Sequence, residues 1–343
     1  ASELSLRASI CFMPSIITCY VFECEVNTAK LMIALAKASI KTSNHLYRNG
    51  AIMVIMCGLL WSTAGIGVRY ISEASGWHIV FFRSVGLILT ILIVMAWRNK
   101  GNLVTPLKRT NKLSLLAGIF LGASFFGNIF ALLYTSVANV VFLLSSSPFI
   151  AALLGWLILG ERVKKRTWAA IALTSVGVSV MVGHALSGDG IIGMAFALMM
   201  AISYAAFSVI MRRGKDNDML PAALIGGLFS MLVATVAIDD FAISWADLGI
   251  CLALGFFQMG LALVLFIYGS KHVPAAELTL LTMLEVILSP IWVWFLFNEH
   301  PGNWTLIGGS IIMLGVLVQA ISTSRRPPFL MPPLVTSTGL EKT

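Results

Sequence analysis

Charge is what this sequence has least of. Only 11% of its 343 residues are Asp, Glu, Lys or Arg, against about a quarter in soluble globular domains. So few charged side chains exclude a water-soluble fold of this length. Histidine and cysteine are also scarce, at five each. No two histidines stand at ligand spacing, and Cys11, Cys19, Cys24, Cys57 and Cys251 show no paired metal-binding pattern. The cysteines therefore read as small apolar residues. A phosphate-cradling glycine loop, a His-Glu-x-x-His zinc pair and a Gly-x-Ser-x-Gly elbow are all missing. Nothing here supports an ATPase, a metal centre or a cofactor.

What is present is apolar. Hydrophobic residues make up 58% of the chain, and mean hydropathy is +0.92. Runs of about 20 apolar residues, each enough to cross a bilayer, fall near 50–70, 76–97, 113–134, 138–159, 168–185, 190–211, 219–238, 248–268, 274–297 and 304–322. The expectation is an all-α polytopic membrane protein with ten transmembrane helices, its first partner being the lipid bilayer. Residues 1–48 read as an N-terminal tail, interfacial or disordered. Ile10–Val21 is too short to span and contains Pro14, and no small-residue cleavage site follows it. The Pro-rich residues 323–343 read as a disordered cytoplasmic tail.

The net charge of +8 does not call for nucleic acid, because its distribution follows the connections between spans. With a cytoplasmic N-terminus, inside loops hold Arg98, Lys100, Lys108, Arg109, Lys112, Arg162, Lys164, Lys165, Arg166, Arg212, Arg213, Lys215 and Lys271. Outside loops hold Asp189, Asp239, Asp240 and Asp247, with Arg69 alone as a base at a span end. Cytoplasmic loops of membrane proteins concentrate Lys and Arg, so both termini are expected inside, at an inner membrane.

An internal echo comes next. SPFIAALLGWLILGE at Ser147–Glu161 resembles LEVILSPIWVWFLFNE at Leu284–Glu299: each has a Trp five residues before its Glu, and a Gly sixteen residues after it, Gly177 and Gly315. The period is 138 residues. More weakly, Trp61 precedes Arg69 by eight residues, as Tyr204 precedes Arg212. The chain thus divides into halves of five spans, 50–185 and 190–322. Five is odd, so the second half inserts upside down relative to the first. Inverted repeats mark secondary transporters, with a substrate site between the halves near the midplane.

FALLYTSVANVVFLLSSSPFIAALLGWLILGERV, with LLWSTAGIGVRY in the first span and LEVILSPIWVWFLFNEHP in the ninth, resembles the EamA-type branch of the drug/metabolite transporter superfamily. The resemblance covers residues 50–322. It implies two inverted five-helix repeats, cytoplasmic termini and movement of small metabolites, often outward. One position departs from the pattern: the Pro that commonly follows the ninth-span acid is Val286 here, and Pro290 stands one turn later.

Candidate site residues are the polar groups that interrupt the apolar runs. Glu285 lies near mid-span, where a charge costs about 2.5–3.5 kcal/mol on insertion scales and persists only facing a bundle interior or wet cavity. It can carry a proton, bind a cationic group, or pair with a neighbouring helix. Thr282 and Ser289 share roughly its face. Arg83, the other deep charge, can pair with Glu285, fork onto a substrate carboxylate, or snorkel to an interface. Ser147 is the repeat counterpart of Glu285, and Pro148 beside it frees the Leu144 carbonyl, as Pro290 frees that of Val286. Trp61, Tyr204, Asn128 and Gln258 complete the set, although Asn and Gln within spans more often join helices than bind ligands. Glu161 is expected to pair with a base among Arg162–Arg166. The reading is a secondary transporter for a small, amino acid-like or drug-like substrate, coupled to its own gradient or to protons, exporting rather than importing. The alternatives are a non-transporting membrane helper or sensor and, with only one deep acid to support it, an integral membrane enzyme. Oligomeric state is not encoded in these patterns.

Overall fold

In a bilayer the backbone must satisfy its own hydrogen bonds, and a long apolar run does so as a helix. The computed structural model describes residues 45–103, 110–160, 163, 165–185, 190–213, 219–273 and 275–324, and among them the chain is all-helical. Residues 1–44 and 325–343, and Glu161, Arg162 and Lys164 with the pairing expected of them, lie outside the described residues. In chain order the helices are α1 (His45–Tyr70), α2 (Gly76–Arg98), α3 (Lys112–Tyr134), α4 (Val137–Leu159), α5 (Lys165–Ala185), α6 (Ile191–Arg213), α7 (Met219–Ala237), α8 (Trp245–Gly269), α9 (Ala275–Phe297) and α10 (Asn303–Ser324). Helices α1 to α8 are long and apolar enough to cross a membrane, while α9 and α10 contribute the shorter apolar stretches Leu281–Phe297 and Asn303–Gln319. This is a multi-pass membrane protein.

Local sequence sets the helix starts. The side chains of Ser75, Asn111, Ser136 and Ser244 each accept a backbone N–H three residues on, that of His78, Ser114, Asn139 and Asp247, which satisfies donors that a first turn leaves free. Helix α1 begins about one turn before the expected span, its Tyr47 hydroxyl donating to Glu277 of α9. Helix α4 is broken at Ser145–Ser146. There the Ser145 and Ser146 hydroxyls donate to the carbonyls of Val141 and Leu143, at 2.8 and 2.6 Å, next to the N–H that Pro148 cannot supply. Helix α8 departs from α geometry over Leu254–Leu261, a π-helical stretch. It lies against α2 so closely that a Cβ on Gly255 would sit 2.1 Å from the Arg83 carbonyl oxygen.

Helix packing relates the two halves of the chain. Helix α3 packs on α6 and α7, α2 on α7 and α8, α4 on α6, and α5 on α10. Helices α1 and α9 run parallel at a constant separation of 230 in sequence, tied at Tyr47–Glu277, Ser62–Trp292 and Arg69–Glu299. The α5–α10 crossing is reciprocal: a Cβ on Gly177 would meet Gly308 and Ile312, and one on Gly315 would meet Ala170 and Thr174, the same positions 138 residues earlier.

The apolar core is unequal at the two ends of the bundle. At the end carrying Asp239, Asp240 and Asp247, one buried cluster draws on all ten helices, including Val68, Ile79, Ile129, Val137, Val293 and Ile312. At the end carrying Arg98, Lys112, Arg213 and Lys271, the core splits into separate clusters. One is built on α2, α3, α6, α7 and α8 around Leu121 and Leu263; the others sit around Phe149 and Met283, and around Ala205 and Val209. The space between these clusters is a cavity.

Candidate functional site

The cavity is about 260 Å³ and runs from mid-bundle to Met219, the first residue of α7, and Leu278, near the start of α9. Eight of the nine residues singled out above line it: Trp61, Arg83, Asn128, Ser147, Tyr204, Gln258, Thr282 and Glu285. The ninth, Ser289, is buried outside the lining, and its hydroxyl donates to the Ser62 carbonyl at 3.2 Å, so it joins α9 to α1. Helices α2 and α7 contribute to the wall through Arg83 and Met219, alongside α1, α3, α4, α6, α8 and α9.

The two charges in the wall are separate. Arg83 is only 5% exposed; it does not snorkel. Its Nη2 donates to Gln258 Oε1 at 3.2 Å, with the Met259 sulfur at 3.6 Å, and its Nη1 lies 3.5 Å from the Phe125 carbonyl. None of these is a carboxylate. The one ion pair among the described residues is Arg69–Glu299, so neither Arg83 nor Glu285 has an ionic partner there. Gln258, held on the π-helical stretch, also directs its Nε2 to the Trp61 carbonyl at 3.5 Å. It links α1, α8 and α2 at one level. Glu285 sits against α1 near Gly58, whose added Cβ would be 3.9 Å from the Glu285 backbone nitrogen. That is one helical turn from Trp61 along α1.

Several buried polar atoms in this wall lack partners. Among the described residues, Trp61 Nε1, Arg83 Nε and Asn128 Oδ1 make no hydrogen bond. A buried polar atom left bare costs about 1–3 kcal/mol, and bare donors and acceptors gathered around one hollow are what a polar ligand or ordered water would satisfy. Apolar surface makes up most of the rest: Phe125, Phe207, Phe266, Met200 and Met283 among it, with the Trp61 ring tilted on Phe266 at 5.5 Å. These aromatic and Met contributors were not singled out in the sequence, because nothing in their pattern separates them from core.

The acidic end is closed by two carboxylate-centred networks. Arg69 Nε donates to Glu299 Oε2 at 2.8 Å, and its Nη1 and Nη2 donate to the carbonyls of Leu132 and Thr135 at 2.5 and 3.2 Å. Glu299 Oε1 accepts from Val137 N at 2.8 Å. Ends of α1, α3, α4 and α9 are thus tied together. Nearby, buried Asp247 accepts from the backbone nitrogens of Ser72, Glu73 and Ala74 at 3.3, 3.0 and 2.9 Å, pinning the α1–α2 connection to α8.

This architecture has known relatives. The chain is 24% identical over 294 residues to the pseudopaline exporter CntI of Pseudomonas aeruginosa, covering 82% of this chain and 98% of that one. It is 24% identical over 274 residues to an uncharacterized transporter of Archaeoglobus fulgidus, with 79% and 96% covered. A crystal structure of a protein with 19% identity superposes with a TM-score of 0.59, covering 81% of this chain and 99% of that one, a likeness of fold. The model of the EamA-like transporter family matches twice in succession, at residues 48–183 and 191–320. With both matches together spanning most of its length, the chain belongs to the EamA-like transporter family.

Proposed function

We propose that the protein is a secondary transporter that exports a small metabolite carrying opposite charges, moving it by alternating access between two inverted five-helix halves. The carrying observation is the unequal core: one cluster uniting all ten helices at the acidic end, separate clusters around a polar cavity at the basic end. That is the form expected of a carrier open to one side, and it speaks for transport over a non-transporting helper with a solid core. The two successive family matches support the halves. The reciprocal α5–α10 crossing supports their two-fold relation. Placing the basic end in the cytoplasm at the inner membrane follows the bias of Lys and Arg, and makes this the inward-open, substrate-loading state of an exporter. A relative named as an exporter supports the direction. In this reading Arg83 receives an anionic group, Glu285 a cationic group or a proton, and Trp61, Asn128, Tyr204, Ser147 and Thr282 the remaining polar contacts. Gln258 holds Arg83 in place.

The test is flux in proteoliposomes loaded with a panel of amino acids and other zwitterionic metabolites, with and without a pH gradient. Flux of at least one member, lost on Arg83→Gln, is the expected result. No flux of any member in either direction would refute the reading.

A further inference from the structure

A second hollow lies on the outer side of the bundle between α4, α9 and α10. It measures about 470 Å³ and is lined by apolar side chains such as Phe142, Ile287, Leu306, Met313 and Leu317, with Ser310 its sole hydroxyl among the described residues. Ile287, Leu306 and Leu317 are exposed, and in a membrane protein that exposure is to hydrocarbon. One residue, Val286, lines both this groove and the central cavity. Buried Val286 therefore stands between the two hollows, directly beside Glu285 in the chain. Pro290, also in the groove, has no N–H for the Val286 carbonyl, so the wall is held by one helical hydrogen bond fewer than an ordinary turn.

The two spaces are complementary in chemistry. The central cavity holds Arg83 and Glu285, neither with an ionic partner among the described residues, and three polar atoms without a hydrogen bond there, but at about 260 Å³ it is smaller than most small-molecule sites, which run about 300–1,000 Å³. The groove is larger and, among the described residues, is lined by no charged group. We infer that the substrate is an amphiphile, with a compact head bearing a carboxylate and an ammonium between Arg83 and Glu285 and an unbranched hydrocarbon tail that passes Val286 into the α4–α9–α10 groove. This rests on the transport reading above and adds the tail, its route and the residue that gates it.

The test uses 2-aminoalkanoates of four to twelve carbons, a series with one head and growing tail, and reads thermal stabilisation of the whole protein in lipid nanodiscs together with flux in proteoliposomes. Once the tail outgrows the central cavity, each added methylene is expected to lower the half-saturating concentration by about fourfold. Ser310→Trp, at an exposed groove position outside the central lining, should leave the short members unchanged and abolish the gain for the long ones. Val286→Trp, which also alters the central wall, should abolish the chain-length gain as well. Affinity independent of chain length, or a chain-length gain that survives both substitutions, overturns the tail route. In the first case the groove holds bilayer lipid only; in the second the gain is partition into the membrane. Those results leave the transport reading standing as long as short members bind and Arg83→Gln removes them. If no member of any length binds or moves, the central site itself is refuted.

Discussion

If the acidic end is a gate, Glu299 is where it can be loosened by a known amount. Its carboxylate makes two bonds that cross between helices, to Arg69 Nε and Val137 N, each 2.8 Å. The Arg69 and Glu299 side chains are 24% and 20% exposed. The pair thus lies between an exposed ion pair, worth about 0–1 kcal/mol, and a buried one whose breaking costs about 3–5 kcal/mol. Glu299→Gln keeps the shape and an acceptor for Val137 but removes the ionic partner, a loss of about 1.5 kcal/mol. Glu299→Ala removes both bonds; with about 1.5–3 kcal/mol for a bond to a charged group, the loss is about 3 kcal/mol. At tenfold per 1.4 kcal/mol, the population open at the acidic end should rise about 12-fold for Gln and about 150-fold for Ala.

A cysteine placed at Asn128 in a background without native cysteines reports that population. It is labelled with a membrane-impermeant maleimide added to the acidic face of oriented vesicles. Labelling rates should rise in the order parent, Gln, Ala, while labelling from the basic face slows. Because Arg69 and Glu299 act through one contact, the double variant Arg69→Gln with Glu299→Gln should label no faster than the quicker single variant. Rates unchanged by Glu299→Ala, or additive effects in the double variant, would refute the gate.

Three further outcomes follow from the same geometry. Glu285→Gln should abolish the pH dependence of transport while leaving the melting temperature of the empty protein within a few degrees of the parent; an unchanged pH profile removes Glu285 from coupling. Gly177→Val should lower the melting temperature by several degrees, since its Cβ would fall 2.6 Å from the Gly308 carbonyl oxygen and overpacking costs about 1–3 kcal/mol; an unaltered melting temperature would mean that the α5–α10 crossing is not close in the membrane. Glu285→Ser should lose transport, and adding Ser147→Glu, which moves the carboxylate to the equivalent point of the other half within the same cavity, should restore at least a tenth of it. No restoration would mean that the cavity is fitted to one position of the acid and not merely to its presence.

The parts of this molecule legible in the sequence are those where the bilayer forces a residue to declare itself. Apolar runs of fixed length and sparse deep charges have few explanations in hydrocarbon: Glu285, read as facing a bundle interior or wet cavity, lines the cavity, and so does Arg83, for which the sequence left snorkelling open. Thr282 and Ser289 show where that logic stops. Spacing puts both on roughly the Glu285 face, but the cavity is open on the Thr282 side and closed by α1 on the Ser289 side, and only packing tells a helix which of its turns meets a neighbour. The π-helical stretch that presents Gln258 was silent for a related reason. LGFFQMGL contains no proline or charge, and its geometry accompanies the contact of Gly255 with Arg83 and Gly86 of α2. Arg69 and Glu299 stood out as span-end residues and as marks of the repeat, 230 positions apart, but not as a pair; their pairing follows from α1 and α9 lying parallel and in register. The echo between Trp156–Glu161 and Trp294–Glu299 told that two halves share a plan. It could not tell that the halves would meet tightly at one end and part at the other, because equal sequences allow either end to close. A carrier requires that ambiguity. In the transport reading, the bonds of Arg69 and Glu299 at the acidic end select a conformation, so they can be broken while the fold persists.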